Sequence, residues 1–157
     1  MNINIQNIYP VLREHAFTLK PEEIDIDTSN LNGSAYGLIM EFVLLKNSVT
    51  LVTYITGDAS LYLSTGGGVI GGIDHNNVKN AVFQFINEGN KYLSKTNKVS
   101  DFPLAISGKV IFYLLTEDGI LKMEDTESKL KSKKSEFWSL YYSGQDVITE
   151  LRKAEQN

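Results

Sequence analysis

An α+β fold in a single domain over residues 1–157 is what this sequence predicts. The expected form is an antiparallel sheet of about five strands with helices packed on it, in the order α-β-β-β-α-β-β-α. Three observations carry the expectation. Two alternating apolar segments, Ala35 to Leu45 and Val49 to Thr56, are joined by a short polar link and read as a hairpin. A central stretch repeats its apolar residues at helical spacing. A second strand pair then surrounds Glu117-Asp118-Gly119, where glycine supplies the positive φ of a turn. The 42% hydrophobic and 22% charged content is that of an ordinary globular domain.

Met1 to Tyr9 fits a short strand, from Ile3 and Ile5 between asparagines, or a helix face of Ile5, Ile8 and Leu12. Pro10 suits a first helical turn, so a short helix is expected from Pro10 to Phe17 with Val11, Leu12 and Ala16 inward. Lys20 to Asn32 is polar and acidic. Ile24 and Ile26 alternate with Glu23, Asp25 and Asp27, as in an edge strand with its charges outward. In the hairpin, Met40, Phe42 and Leu44 share one face, and Glu41, Val43 and Leu45 the other. Lys46-Asn47-Ser48 is the expected turn. Thr56-Gly57-Asp58 turns the chain into a third strand, which completes a meander.

Asp74 is the expected N-cap of the central helix, which runs to about Leu93. Val78, Ala81, Val82, Phe85, Gly89 and Leu93 form its core stripe. Gly89 within that stripe implies close packing. Asn97 to Gly108 is expected as loop. Lys109 to Thr116 and Ile120 to Met123 are the last strands, and Asp125 to Ser135 a charged linker. Ser135 is expected to cap a final helix carrying Phe137, Leu140, Tyr141, Val147, Ile148 and Leu151, with Gly144 as a kink. The tail from Arg152 should fray.

The densest backbone chemistry lies in Gly57 to Gly72. Leu61 and Leu63 alternate with Ser60, Tyr62 and Ser64, and five glycines follow between Gly66 and Gly72. Gly66-Gly67-Gly68-Val69-Ile70-Gly71 matches G-x-G-x-x-G, with a helical pattern after it. A dinucleotide site also needs a parallel βαβ unit, whereas the strands here read as antiparallel. No Gly-Lys-Ser or Gly-Lys-Thr follows. The expected role is therefore geometric: a strand end, bulge or wide turn with at least one glycine at positive φ. As a ligand loop, the segment would use Gly66, Gly67, Gly68 and Gly71, with Asp74 and His75 at the helix start.

The run Gly57 to Gly72, Asp74-His75 and the Asn/Val/Ala-rich helix after it resembles a segment of a group of small uncharacterised bacterial proteins. The resemblance covers the middle third to half of the chain. It implies a bacterial domain of unknown function and brings no activity with it. The element order also looks like the roadblock or profilin-like sandwich, which implies a partner-binding role. It departs from the usual roadblock order in placing a third strand before the central helix.

Chemistry-bearing groups are sparse. With no cysteine there is no disulfide, thiolate nucleophile or thiolate metal site. His15 and His75 stand alone, so no metal is expected. Ser64, His75 and Asp58 lack the G-x-S-x-G elbow of a hydrolase. Asp25 to Tyr36 begins like a calcium loop, but has Asn30 where glycine belongs and Tyr36 where glutamate belongs. No catalytic residue or cofactor is assigned. Lys129, Lys131, Lys133 and Lys134 precede Trp138, but the net charge of −4 argues against nucleic acid. No apolar run is long enough to span a bilayer, and the N-terminus lacks the pattern of a secretory signal, so a cytoplasmic location is expected. Trp138 and Tyr142, one helical turn apart, are the candidate partner-binding residues, and could also pair two copies of the chain. The expected function is a non-enzymatic protein-interaction or regulatory module. The alternatives are a small-ligand or nucleotide-binding domain using the glycine segment, and a toxin-neutralising protein.

Overall fold

A computed structural model describes residues 8–71 and 74–156. The strand-or-helix alternative at Ile3 and Ile5 lies outside the described residues, as does Gly72. The chain enters with α1 (Ile8–Thr18), then runs through strands β1 (Gly37–Leu44), β2 (Asn47–Tyr54), β3 (Ala59–Leu63) and β4 (Gly68–Gly71). Helix α2 (Asn76–Asn90) leads to β5 (Asn97–Val99), β6 (Lys109–Thr116) and β7 (Gly119–Thr126). Helices α3 (Glu127–Lys131) and α4 (Trp138–Glu155) close the chain. The seven strands form one sheet in the order β4-β3-β2-β1-β6-β7-β5, with every neighbouring pair antiparallel.

The sheet is covered on both faces, unequally. Leu38 and Met40 of β1 and Val110, Phe112 and Leu114 of β6 point to one face, where Val82 and Phe85 of α2 and Leu140, Val147 and Leu151 of α4 meet them. Their alternates Ile39, Ile111, Tyr113 and Leu115 point to the other, against Ala16 and Phe17 of α1 and the irregular segments around Ile26 and Ala105. Burial on both faces explains why β6 is a continuous apolar run. Each such side chain withdrawn from water stabilises the fold by about 1.5–3 kcal/mol. Gly89 and Gly144 are contact points. A Cβ on Gly89 would stand 2.9 Å from Leu38 and Leu114, and one on Gly144 2.7 Å from the Met40 sulfur.

The α+β class and the antiparallel sheet are as expected; the count of about five strands is corrected to seven among the described residues. One extra strand is β4, formed by the glycine segment itself. It pairs Gly68 with Tyr62 and Gly71 with Ala59, so the segment is a hairpin, with its turn at 64–67. Gly66, Gly68 and Gly71 take the expected positive φ. The other is β5, which pairs with Ile120–Lys122 of β7 inside the expected loop. Lys20–Asn32 is not an edge strand but two 3-10 turns. Pro21 opens the first, and Asp27 accepts the Ser29 amide in the second. Asp74 does not cap α2: His75 occupies that position, and its side chain makes no cap bond. The helix ends at Asn90, short of Leu93.

Helix α1 buries Tyr9, Ala16 and Phe17, whereas Val11 is exposed rather than inward. The β1–β2 turn is Leu45-Lys46, not Lys46-Asn47-Ser48, because Leu44 already pairs with Asn47. β7 extends to Thr126, and the expected linker forms α3, capped by the Thr126 hydroxyl accepting from the Lys129 amide. Ser135 accepts from the Phe137 amide and so shapes the approach to α4, which starts at Trp138. That helix is unbroken through Gly144 and continues to Glu155.

Candidate functional site

Two features stand out, and the first lies at the end of the sheet that carries the β1–β2 and β3–β4 turns. Those turns are tied side by side: the Ser48 amide donates to Ser64 Oγ at 2.9 Å, and the Ser64 amide to the Ser48 carbonyl at 2.9 Å.

The first feature is a cleft of about 580 Å³ between α1, these turns and the loop after β5. Beside it lies a buried polar network. Arg13 of α1 forks onto Glu41 of β1, with Nε to Oε2 at 2.6 Å and Nη2 to Oε1 at 2.7 Å. Nη2 also donates to the Phe102 carbonyl at 2.7 Å, which ties the loop to the helix. Thr50 Oγ1 donates to Glu41 Oε2 at 2.7 Å and accepts from the Tyr9 hydroxyl at 2.7 Å. Glu41 is only 2% exposed and Arg13 15%. Burial works against the Arg13 charge, but the Glu41 carboxylate more than offsets it and holds the guanidinium pKa above its ordinary value. Burial also pushes the Tyr9 and Tyr113 hydroxyls up, so both stay protonated. Phe17 and Phe102 stack at 4.5 Å and 9° beside Arg13, completing an aromatic wall.

The second feature is a set of apolar side chains that folding leaves outside. Leu44 and Leu45 sit at the β1–β2 turn, Leu104 and Ile106 on the neighbouring loop, and Trp138 and Tyr142 on α4. Leu44 and Tyr142 line one shallow groove with Phe42 and Tyr141. Leu45 is 86% exposed. Leu45 and Lys46 both take left-handed backbone, at φ 49° and 72°, in the two-residue turn that favours Asn-Gly. A bulky side chain there is unfavourable, and its exposure gives folding nothing in return.

The candidate residues fall in three places. Trp138 and Tyr142 are each 37% exposed and meet edge to face at 6.1 Å. The Lys133 ammonium sits 4.7 Å from the Trp138 ring, and the Tyr142 hydroxyl donates to the Lys131 carbonyl. Both aromatics are thus held in fixed orientations at the surface. Gly66 and Gly67 belong to the β3–β4 turn beside Ser48, Gly68 opens β4, and Gly71 lies at its far end. Asp74 and His75 are elsewhere, in a polar hollow with Glu150 and Lys153 of α4. Gly66 and Gly67 thus stand at the opposite end of β4 from Gly71, and the hollow that holds Asp74 and His75 is lined by none of the four glycines. Of the lysine cluster, Lys131 is paired with Glu127 at 2.7 Å.

Among the described residues, no group of three or more metal-ligating side chains comes together, and no helix is long and apolar enough to cross a membrane. Sequence reasoning missed Arg13, Leu45 and the cleft. The available signal was Glu41 itself, an acid in the middle of an apolar strand, which needs a partner when buried. No family model, no curated protein and no solved structure matches this chain.

Proposed function

We propose that this chain is a non-enzymatic protein-interaction module that docks a partner protein on the sheet end around Leu45. The observation that supports it is Leu45 itself, an almost fully exposed leucine on costly left-handed backbone. Strain retained at one exposed position points to a use outside the fold. Leu44, next to it, shares a groove with Tyr142, which is held edge to face against Trp138, and these are residue types that anchor interfaces. A second copy of the chain is one partner this surface would accept.

A photoreactive aromatic amino acid placed at position 45, and for control at Asp118 on the turn at the opposite end of the sheet, tests the proposal in the source cells. The expected result is one discrete adduct from position 45, absent from position 118 and lost when Leu44→Ser and Tyr142→Ser are added. An adduct of twice the chain mass identifies a homodimer. Equal labelling from both positions, or none, refutes the reading.

A further inference from the structure

The cleft beside α1 meets the exposed apolar set at Leu104, and its lining defines a ligand class. Its size lies within the roughly 300–1,000 Å³ range of small-molecule sites. Phe17, Phe102 and Leu104 give it an apolar wall, with Phe102 half-buried and Leu104 exposed. The polar groups are few and fixed. Ser64 Oγ accepts the Ser48 amide and keeps its own proton to donate. Glu14, exposed on the rim, offers a carboxylate acceptor. Arg13 looks like an anion site in isolation, but its charge is balanced by Glu41, which takes Nε–H and one Nη2–H, and the Phe102 carbonyl takes the other Nη2–H, so only the Nη1 protons remain outside these bonds. With Arg13 neutralised by Glu41, Glu14 leaves the cleft with a negative balance, which opposes an anion.

We infer that this cleft binds a small, neutral, flat aromatic molecule bearing a hydroxyl or ring N–H group. The ring lies against the Phe17–Phe102 wall. A hydroxyl donates a hydrogen bond to Glu14 and accepts one from Ser64, whereas a ring N–H donates to Glu14 alone. A carboxylate on the same ring is excluded by Glu14.

The test is an amide-resolved NMR titration of the full chain with 2-naphthol and, in parallel, with 2-naphthoate. Saturable shifts are expected at the amides of Phe17, Ser48, Ser64 and Leu104 with 2-naphthol, and binding of 2-naphthoate at least about tenfold weaker. Thr18→Trp fills the cleft from an exposed position on α1 and should weaken 2-naphthol at least about tenfold while the spectrum stays dispersed. Leu104→Trp fills it from the loop side and serves if the first variant does not fold. Glu14→Gln should narrow the gap between the two probes. The inference is overturned by no saturation up to the solubility limit of 2-naphthol, by shifts centred elsewhere, by filled variants that bind as well as wild type, or by 2-naphthoate binding the tighter of the two.

Discussion

Cutting the Arg13–Glu41 pair from one side should damage the fold more than removing it whole. The two groups are joined by bonds of 2.6 and 2.7 Å, and Glu41 is the more deeply buried, at 2% exposure against 15% for Arg13. Breaking a buried pair by removing one partner costs about 3–5 kcal/mol, because the other charge is left uncompensated. Arg13→Met strands Glu41 with only the Thr50 hydroxyl and should fall at the upper end. Glu41→Leu strands Arg13, which can turn toward the cleft and its solvent, and should fall at the lower end. At roughly 2–4 °C per kcal/mol for a domain of this size, the melting temperature drops by about 6–20 °C. The double variant Arg13→Met/Glu41→Leu strands neither charge, and the Phe102 carbonyl lies in a half-buried loop where water can replace its donor. Its cost should be below that of either single change, which requires a coupling larger than either single cost, about 3–5 kcal/mol or more. Urea unfolding followed by circular dichroism, with all four m-values equal, completes the cycle. Single variants costing under about 1 kcal/mol, or additive costs in the double variant, would show that the pair is not held as described.

Three further outcomes are expected. Leu45→Asn with Lys46→Gly supplies the residues this turn favours and should stabilise the fold by about 1 kcal/mol or more, read from the urea midpoint, and an unchanged or lower midpoint would show that the turn is not strained. Gly68→Ala should lower stability by well over about 1 kcal/mol, because its Cβ would fall 2.1 Å from the Leu61 carbonyl oxygen on backbone at φ 153°. A loss-free Gly68→Ala would leave Gly68 without a structural role. Burial pushes the Glu88 carboxyl up, but hydrogen bonds from Lys91 and Ser139 prevail and hold its pKa below the ordinary value. A depressed carboxyl contributes stability above its unfolded pKa of about 4.3 and loses it as pH falls through the lower folded value. The wild-type urea midpoint should therefore fall more steeply than that of Glu88→Gln as pH drops below about 4.3, and parallel curves would contradict the assignment.

Legibility followed the length and burial of each element. β6 is found at its expected limits, because eight consecutive residues from Lys109 to Thr116 carry the apolar run of a strand buried on both faces. β4 and β5 were hidden for the opposite reason. They have four and three residues, sit at the two edges and take their register from β3 and β7 rather than from an apolar pattern of their own. Ile24 and Ile26 mimic strand alternation, but Pro21 and Asp27 satisfy the backbone locally and curl it instead. Trp138 and Tyr142 were visible as a one-turn pair. Leu45 was not, since its importance comes from a φ value that no Asn-Gly pair announced. The Arg13–Glu41 contact joins residues in different elements, and only the unexplained acid within β1 hinted at it.

The position of β1 beside β6 at the middle of the sheet also bears on how the chain reaches this state. Residues up to β4 form a meander of neighbours in sequence, and β5 to β7 make a second unit, β6–β7 being a tight hairpin. The β1–β6 ladder, where Met40 faces Phe112, is the seam between them, and the packing of α2 on α4 crosses it again. Closing that seam brings together segments far apart in the chain, so it should come late and set the folding rate. Two fragments cut in the exposed stretch around Lys95 would each keep their own hairpins. They would find one another through the seam, making this a chain that can be divided and reassembled.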